Sequence, residues 1–212
     1  MSLPFSTDEF FDVFRRYNMA VWPAQIVLLV AGVTAIPMAA TRRGWRAATL
    51  IVAALWAWMA AAYHGAFFAT VTPGGFVFAI AFLIEAAFLA AFALDSKVEL
   101  TPPSLTQWSV AALLFAYALI LYPLIGYAAG EQYPAIPTFG TPCPTTIFTF
   151  GVLVLLSSSA PSWLLTIPML WAFVGTFAAL RLGVPQDAGL MVAALAALAC
   201  RPSATPLQRR TV

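Results

Sequence analysis

Long runs of apolar residues, separated by short polar connections, divide this chain. Seven of them carry few or no charges: residues 19–40, 45–69, 73–94, 107–127, 144–159, 162–180 and 185–200. A helix needs roughly 17–25 apolar residues to cross a bilayer. The spacing therefore predicts an all-α, polytopic bundle of seven transmembrane helices, the fifth and seventh of them short. Residues 1–18 follow another pattern. Phe10, Val13, Phe14 and Tyr17 recur at helical spacing against Asp8, Glu9, Asp12, Arg15 and Arg16, as in an amphipathic helix lying on a membrane surface. Ser6 and Glu9 have capping-box spacing, and Phe5 and Phe10 the spacing of a hydrophobic staple. The predicted organisation is an interfacial helix (1–18), one transmembrane domain (19–200) with a long Pro-rich connection at 128–143, and a basic tail (201–212). The acidic residues ahead of the first apolar run argue that it is retained rather than cleaved as a signal peptide.

Charge sets the orientation. With the N-terminus outside, the inner connections hold Arg42, Arg43, Arg46, Lys97, Arg201, Arg209 and Arg210, against Arg15, Arg16 and Arg181 outside. This seven-to-three bias predicts N-out/C-in. A seventh segment that failed to cross would turn the count into four against six. Trp22, Trp45, Trp108 and Trp163 fall near segment ends, where interfacial aromatics belong. Composition agrees, with 62% hydrophobic residues, 8% charged and a mean hydropathy of +0.90. A soluble domain carries about a quarter charged residues, so the bilayer is the expected surrounding. A net charge of +2, scattered over short connections, argues against nucleic acid as a partner. Cys143 and Cys200 form no C-x-x-C motif and are placed on opposite sides of a core about 30 Å thick, too far apart to bridge.

The candidate chemistry is sparse. Glu85 falls near the middle of the third segment, about 18 Å from Pro73 at 1.5 Å per residue. A carboxyl at that depth must be paired, hydrogen-bonded or protonated, and is either a proton- or cation-coupling group or a neutral hydrogen-bond donor between helices. His64, beside Tyr63, is the single histidine and is placed near the outer end of the second segment. One imidazole cannot make a three-histidine zinc site; a metal would need Cys143, Glu131 or Asp187 as co-ligands, and no spacing demands one. Cys143 stands at or just before the start of the fifth segment, either as a thiol activated by a helix N-terminus or as a small packing residue. Arg181 and Asp187 flank the last outer turn, where each suits a helix dipole and the two can pair; Gln25 lies at similar depth on the first segment. Pro23, Pro73, Pro144 and Pro185 sit near the outer starts of the odd-numbered segments. They read as good helix starts, or as N-termini converging on a cavity suited to an anionic or strongly polar guest. Pro168 predicts a kink in the sixth segment. No lysine lies within a segment to carry a retinal, and no P-loop, H-E-x-x-H or G-x-S-x-G is present. No metal or cofactor is expected, and the balance is against an enzyme.

The stretches Ser2-Leu-Pro-Phe-Ser6, Phe10-Phe-Asp-Val-Phe-Arg-Arg-Tyr-Asn18, Trp22-Pro-Ala-Gln25, Tyr63-His64, Pro137-Thr-Phe-Gly-Thr-Pro-Cys-Pro-Thr-Thr146, Ile167-Pro-Met-Leu-Trp171 and Gly183-Val-Pro-Gln-Asp187 resemble a family of small bacterial membrane proteins catalogued as a domain of unknown function. The resemblance spans nearly the whole chain and implies a bacterial inner-membrane location and a single polytopic domain. A likeness to alkaline ceramidase-like hydrolases fails at the residues, since their zinc-binding histidines are missing. The leading expectation is a small-solute or ion transporter. Its outward vestibule would be lined by Gln25, Tyr63, His64, Glu131, Cys143, Arg181 and Asp187, with Glu85 beneath as the coupling carboxylate and residues 133–149 as a lid. The alternatives are an accessory subunit of a larger membrane complex and a metal- or haem-dependent intramembrane enzyme; the expected partners are the lipid bilayer and either further copies of the chain or a larger membrane complex.

Overall fold

The first helix, α1 (Thr7–Val21), meets α2 (Ala24–Ala39) at 91°, and the corner falls at Trp22-Pro23, where the proline offers no N–H to continue the helical ladder. The computed structural model describes residues 4–202; Arg209 and Arg210 of the predicted tail lie outside the described residues. Six further helices follow: α3 (Trp45–Thr70), α4 (Gly74–Leu94), α5 (Leu105–Ala128), α6 (Pro142–Leu155), α7 (Ser162–Leu182) and α8 (Pro185–Ala199). All seven apolar runs are thus helical. By length and composition, four helices (α3, α4, α5 and α7) are able to cross a membrane, or five if α1 and α2 form one bent span; α6 and α8 are apolar but shorter.

Helix α6 lies at the centre. All of its residues are buried, and it packs on α5, α7 and α8 and touches α2 and α3. A helix that is apolar all round belongs inside a bundle. Its 14 residues run only about 21 Å at 1.5 Å per residue, short of the hydrocarbon thickness, and a helix enclosed by protein needs no more. The surrounding helices turn large apolar side chains outward, among them Val27 and Val30 on α2, Val77 and Ile80 on α4, Leu113 and Leu124 on α5, Leu170 and Phe173 on α7, and Val192 and Leu195 on α8. Continuous apolar surface of this kind suits lipid rather than water.

At one end of the bundle, Arg46 donates to the carbonyls of Ala93, Asp95 and Val98 at 2.6, 2.8 and 3.0 Å. A cation there satisfies the last carbonyls of α4 and the negative end of its dipole. Arg201 donates to Ala160 O at 2.8 Å, and Gln107 to the Ser157 hydroxyl at 2.7 Å.

The opposite end is built by α1. Its capping box forms as the sequence predicts: Ser6 N donates to Glu9 Oε2 at 2.8 Å and Glu9 N to Ser6 Oγ at 3.2 Å, while Phe5 stacks on Phe10. The apolar stripe, however, does not lie on lipid. Phe10, Val13, Phe14 and Tyr17 are buried in a cluster with Tyr63, Phe68, Ala179, Leu182 and Val184. Such a stripe is equally satisfied by a membrane or by protein, and here protein takes it.

Two further differences are local. Pro168 does not fall in a helix interior, because α7 opens with a 3₁₀ turn (Ser162–Leu165) and its α-helical part starts at Thr166. Pro168 therefore stands in a first turn, where the missing N–H costs little. Helix α7 then ends at Gly183, whose φ of 73° is the left-handed conformation that a glycine adopts without strain. The widened π-helical turns at Met59–Phe67 in α3 and Tyr117–Leu121 in α5 leave no signature in the sequence.

Candidate functional site

The π-helical segment of α3 carries Tyr63 and His64, and both are buried. Wide turns of this type often mark functional positions, because they rotate the following side chains off the regular helical stripe. Here they face a cavity of about 240 Å³. One engineered cavity of about 150 Å³ accommodates benzene, so this one has room for a somewhat larger molecule. Its walls are mainly aromatic: Phe10 and Phe14 from α1, Phe68 from α3, Phe78 from α4, and Trp171 and Phe177 from α7. The His64 ring stands 5.1 Å from Trp171 and 4.5 Å from Phe82, centroid to centroid. Among the described residues, neither His64 ring nitrogen has a hydrogen-bond partner, and neither does Trp171 Nε1.

Two further polar groups reach the cavity from helix starts, Cys143 from α6 and Asp187 from α8. Asp187 Oδ1 accepts a hydrogen bond from the Tyr122 hydroxyl, and Tyr122 directly follows the π-helical turn of α5. The neighbouring Tyr117 hydroxyl donates to Gln186 O at 2.7 Å, tying α5 to the start of α8. Space between these groups depends on Gly175. A Cβ there would stand 2.6 Å from Leu190 Cδ1 and 3.8 Å from both Cys143 Sγ and Trp171 Nε1. Since Thr72 and Gly74 also line the cavity, the starts of α4, α6 and α8 converge on it.

Four of the residues singled out from sequence, Tyr63, His64, Cys143 and Asp187, therefore share one cavity, and the other four lie elsewhere. Gln25 donates to Asn18 Oδ1 and to Thr138 Oγ1 at 3.0 Å, fastening the Pro-rich connection. Glu131 accepts from Gln186 Nε2 at 2.9 and 2.7 Å beside a shallower surface depression; burial pushes its carboxyl up from the ordinary range, and the Gln186 bond opposes this. Arg181 lies over the Phe177 ring at 5.4 Å rather than beside Asp187. Glu85 follows Phe78 and Phe82 along one face of α4, about 10 Å below Phe78 at 1.5 Å per residue. It is fully buried, and neither of its oxygens has a partner. The Pro-rich connection lends Pro142 and Cys143 to the cavity, but it is strapped to the α1–α2 corner. Asn18 Nδ2 donates to Pro134 O and Ile136 O at 2.7 and 2.8 Å, and Tyr17 OH to Gly140 O at 3.1 Å. Phe10 and Phe14 of α1 close the cavity on that side.

Asn18, Tyr122 and Trp171 escaped the sequence reading as site-building residues. Tyr122, next to Pro123 inside an apolar run, was the one available signal; Trp171 looks like any aromatic core position. Among the described residues, no three of His, Cys, Asp and Glu stand close enough to hold one metal ion.

The chain belongs to a family of unknown function, DUF6064, whose sequence profile matches residues 7–210. No curated protein and no solved structure matches it.

Proposed function

We propose that this DUF6064 protein is a multi-pass protein of the bacterial cytoplasmic membrane that binds and passes a small solute through the cavity around His64. In this reading it has seven membrane helices, with the N-terminus outside and the C-terminus inside. The outward apolar side chains of α2 and α8 support counting both as lipid-facing helices. Arg46 and Arg201 lie at the end away from the cavity, which supports an outward cavity by the positive-inside rule.

The observation that carries the reading is His64. A buried polar group left without a partner costs about 1–3 kcal/mol, and His64 leaves two such nitrogens inside an aromatic-walled space. A guest that bonds the ring removes this cost, whereas a subunit acting only through its outer surface would need no such space. Glu85, farther along the same face of α4, is in place to couple entry of the guest to a proton or cation.

His64→Phe tests this, because it keeps the ring and removes the nitrogens. A deletion strain complemented with this variant should accumulate the protein at least as well as wild type. It should nevertheless fail to restore the depletion of one or more small solutes from the medium. Identical depletion profiles for the two complemented strains would sink the reading.

A further inference from the structure

We propose that the guest is a small organic cation, an alkylated ammonium, held between the Asp187 carboxylate and the faces of the surrounding aromatic rings. The inference rests on the cavity being a solute site.

It follows first from the inventory of charge. Among the described residues, Asp187 is the only acidic side chain lining the cavity, and no Lys or Arg lines it. The nearby arginines are otherwise engaged: Arg15 and Arg16 pair with Asp12, and Arg181 lies over the Phe177 ring. An anion entering here would meet a buried carboxyl with no lysine or arginine to offset it. A cation meets an opposite charge in a low-dielectric setting, where the attraction is strongest.

The walls make the same selection. Ring faces attract cations through their quadrupole, most strongly when both are desolvated, and aromatic enclosures of this kind recognise alkylated ammonium groups. Trp171 and Phe78 stand 5.3 Å apart at 80°, and Phe10 and Phe14 4.9 Å apart at 87°. Other lining rings stack, Phe5 on Phe10 and Tyr63 with Phe14 and Phe68, so the walls offer both faces and edges to the space.

Hydrogen bonding agrees with an alkylated guest. Asp187 Oδ1 is taken by Tyr122, and the Cys143 thiol bonds the same carboxyl; beyond these, one His64 nitrogen and the Tyr63 and Thr72 hydroxyls are the polar side-chain groups of a lining that is otherwise apolar or aromatic. A primary ammonium brings three donors, each of which must find one of these scattered acceptors or remain an unmade bond. A quaternary ammonium brings none, and a polar tail on it can bond His64. The starts of α4, α6 and α8 place the positive ends of their dipoles here. Those ends favour a negative charge, and Asp187 is that charge.

The test uses three probes of one shape on the full-length protein in lipid nanodiscs, followed by calorimetry and by the part of the tryptophan fluorescence that Trp171→Phe removes: choline, its uncharged isostere 3,3-dimethyl-1-butanol, and the anion 3,3-dimethylbutyrate. Choline should bind at least about tenfold more tightly than either of the others, a difference well above the scatter of such titrations. Asp187→Asn, which still accepts the Tyr122 hydrogen bond, should remove that preference and leave the alcohol unchanged. Phe78→Leu, which keeps apolar bulk without a ring face, should weaken choline alone. Equal binding of choline and the alcohol, or preference for the anion, overturns the cation assignment while the cavity reading stands. If none of the three binds to folded protein, the assignment falls too, and the solute-depletion experiment still judges the cavity reading separately.

Discussion

Asn18 and His64 are both fully buried polar side chains, and the fold treats them in opposite ways. Asn18 uses its whole amide. Nδ2 donates to two carbonyls of the Pro-rich connection, and Oδ1 accepts from Thr138 at 2.9 Å and from Gln25. His64 uses nothing. Saturated groups of the first kind hold a fold together, and idle groups of the second kind are where a guest has something to gain. Asn18→Leu should therefore destabilise the protein by about 2–4 kcal/mol, because it strands the Pro134 and Ile136 carbonyls and takes one of the two bonds that hold Gln25. The loss should appear as a lower unfolding midpoint in detergent, with faster amide exchange over residues 133–141. Unchanged exchange there would show that the strap is held by something else. Nothing in the sequence separates these two residues, since each is a single polar position near an apolar run; the difference is made by what tertiary contact brings to them.

At the scale of the helix, α1 has a pH-dependent start. The Glu9 carboxylate accepts from the Ser6 backbone N–H and hydroxyl, and these bonds hold its pKa below the ordinary value of 4.5. A carboxyl depressed in the folded state contributes stability above the unfolded pKa and loses it as pH falls through the folded one. Asp12, depressed first by its Arg15 bond and then by Arg16, adds in the same direction. Protection of the first-turn amides of α1, taken relative to their intrinsic exchange rate at each pH, should fall as pH is lowered below about 4, and Ser6→Ala should bring that loss of protection up to neutral pH. Protection that does not change with pH in wild type would show that the packing of Phe10 and Phe14, not the box, fixes this end. Much of α1 was legible in the sequence, because caps and staples are local chemistry at fixed spacing. The surface that takes its apolar stripe was not, since Phe10, Val13, Phe14 and Tyr17 look the same whether they meet lipid or Tyr63 and Leu182. The π-helical turns were hidden for a related reason: a register change of the backbone needs no particular residue, yet it decides where His64 and Tyr122 point.

For the whole molecule, the proposed orientation predicts which ends a reagent can reach. In a Cys200→Ser background, where Cys143 is buried, Gln132→Cys should react in intact cells with a maleimide that does not cross the inner membrane. Arg43→Cys should react only after the cells are opened. The reverse pattern would invert the orientation and place the cavity on the inner face. The apolar runs were legible as helices, but their arrangement was not, because a run such as Pro142–Leu155 reads alike at the lipid boundary and at the centre of the bundle. That central helix bears on how the protein is made. With about 21 Å of length at 1.5 Å per residue, and with Pro142, Pro144, Thr145, Thr146 and Thr149 in its sequence, it is a poor candidate for leaving the translocon alone. Two of its hydroxyls gain partners from the finished protein: Thr149 accepts from Trp56 Nε1 and Thr145 from Gly140 N, both at 3.0 Å. In the proposed seven-helix topology, biogenesis would hold α6 at the edge of the insertion machinery until α7 and α8 have been synthesised to enclose it. The middle of this protein would then enter the bilayer late, as a group rather than one helix at a time.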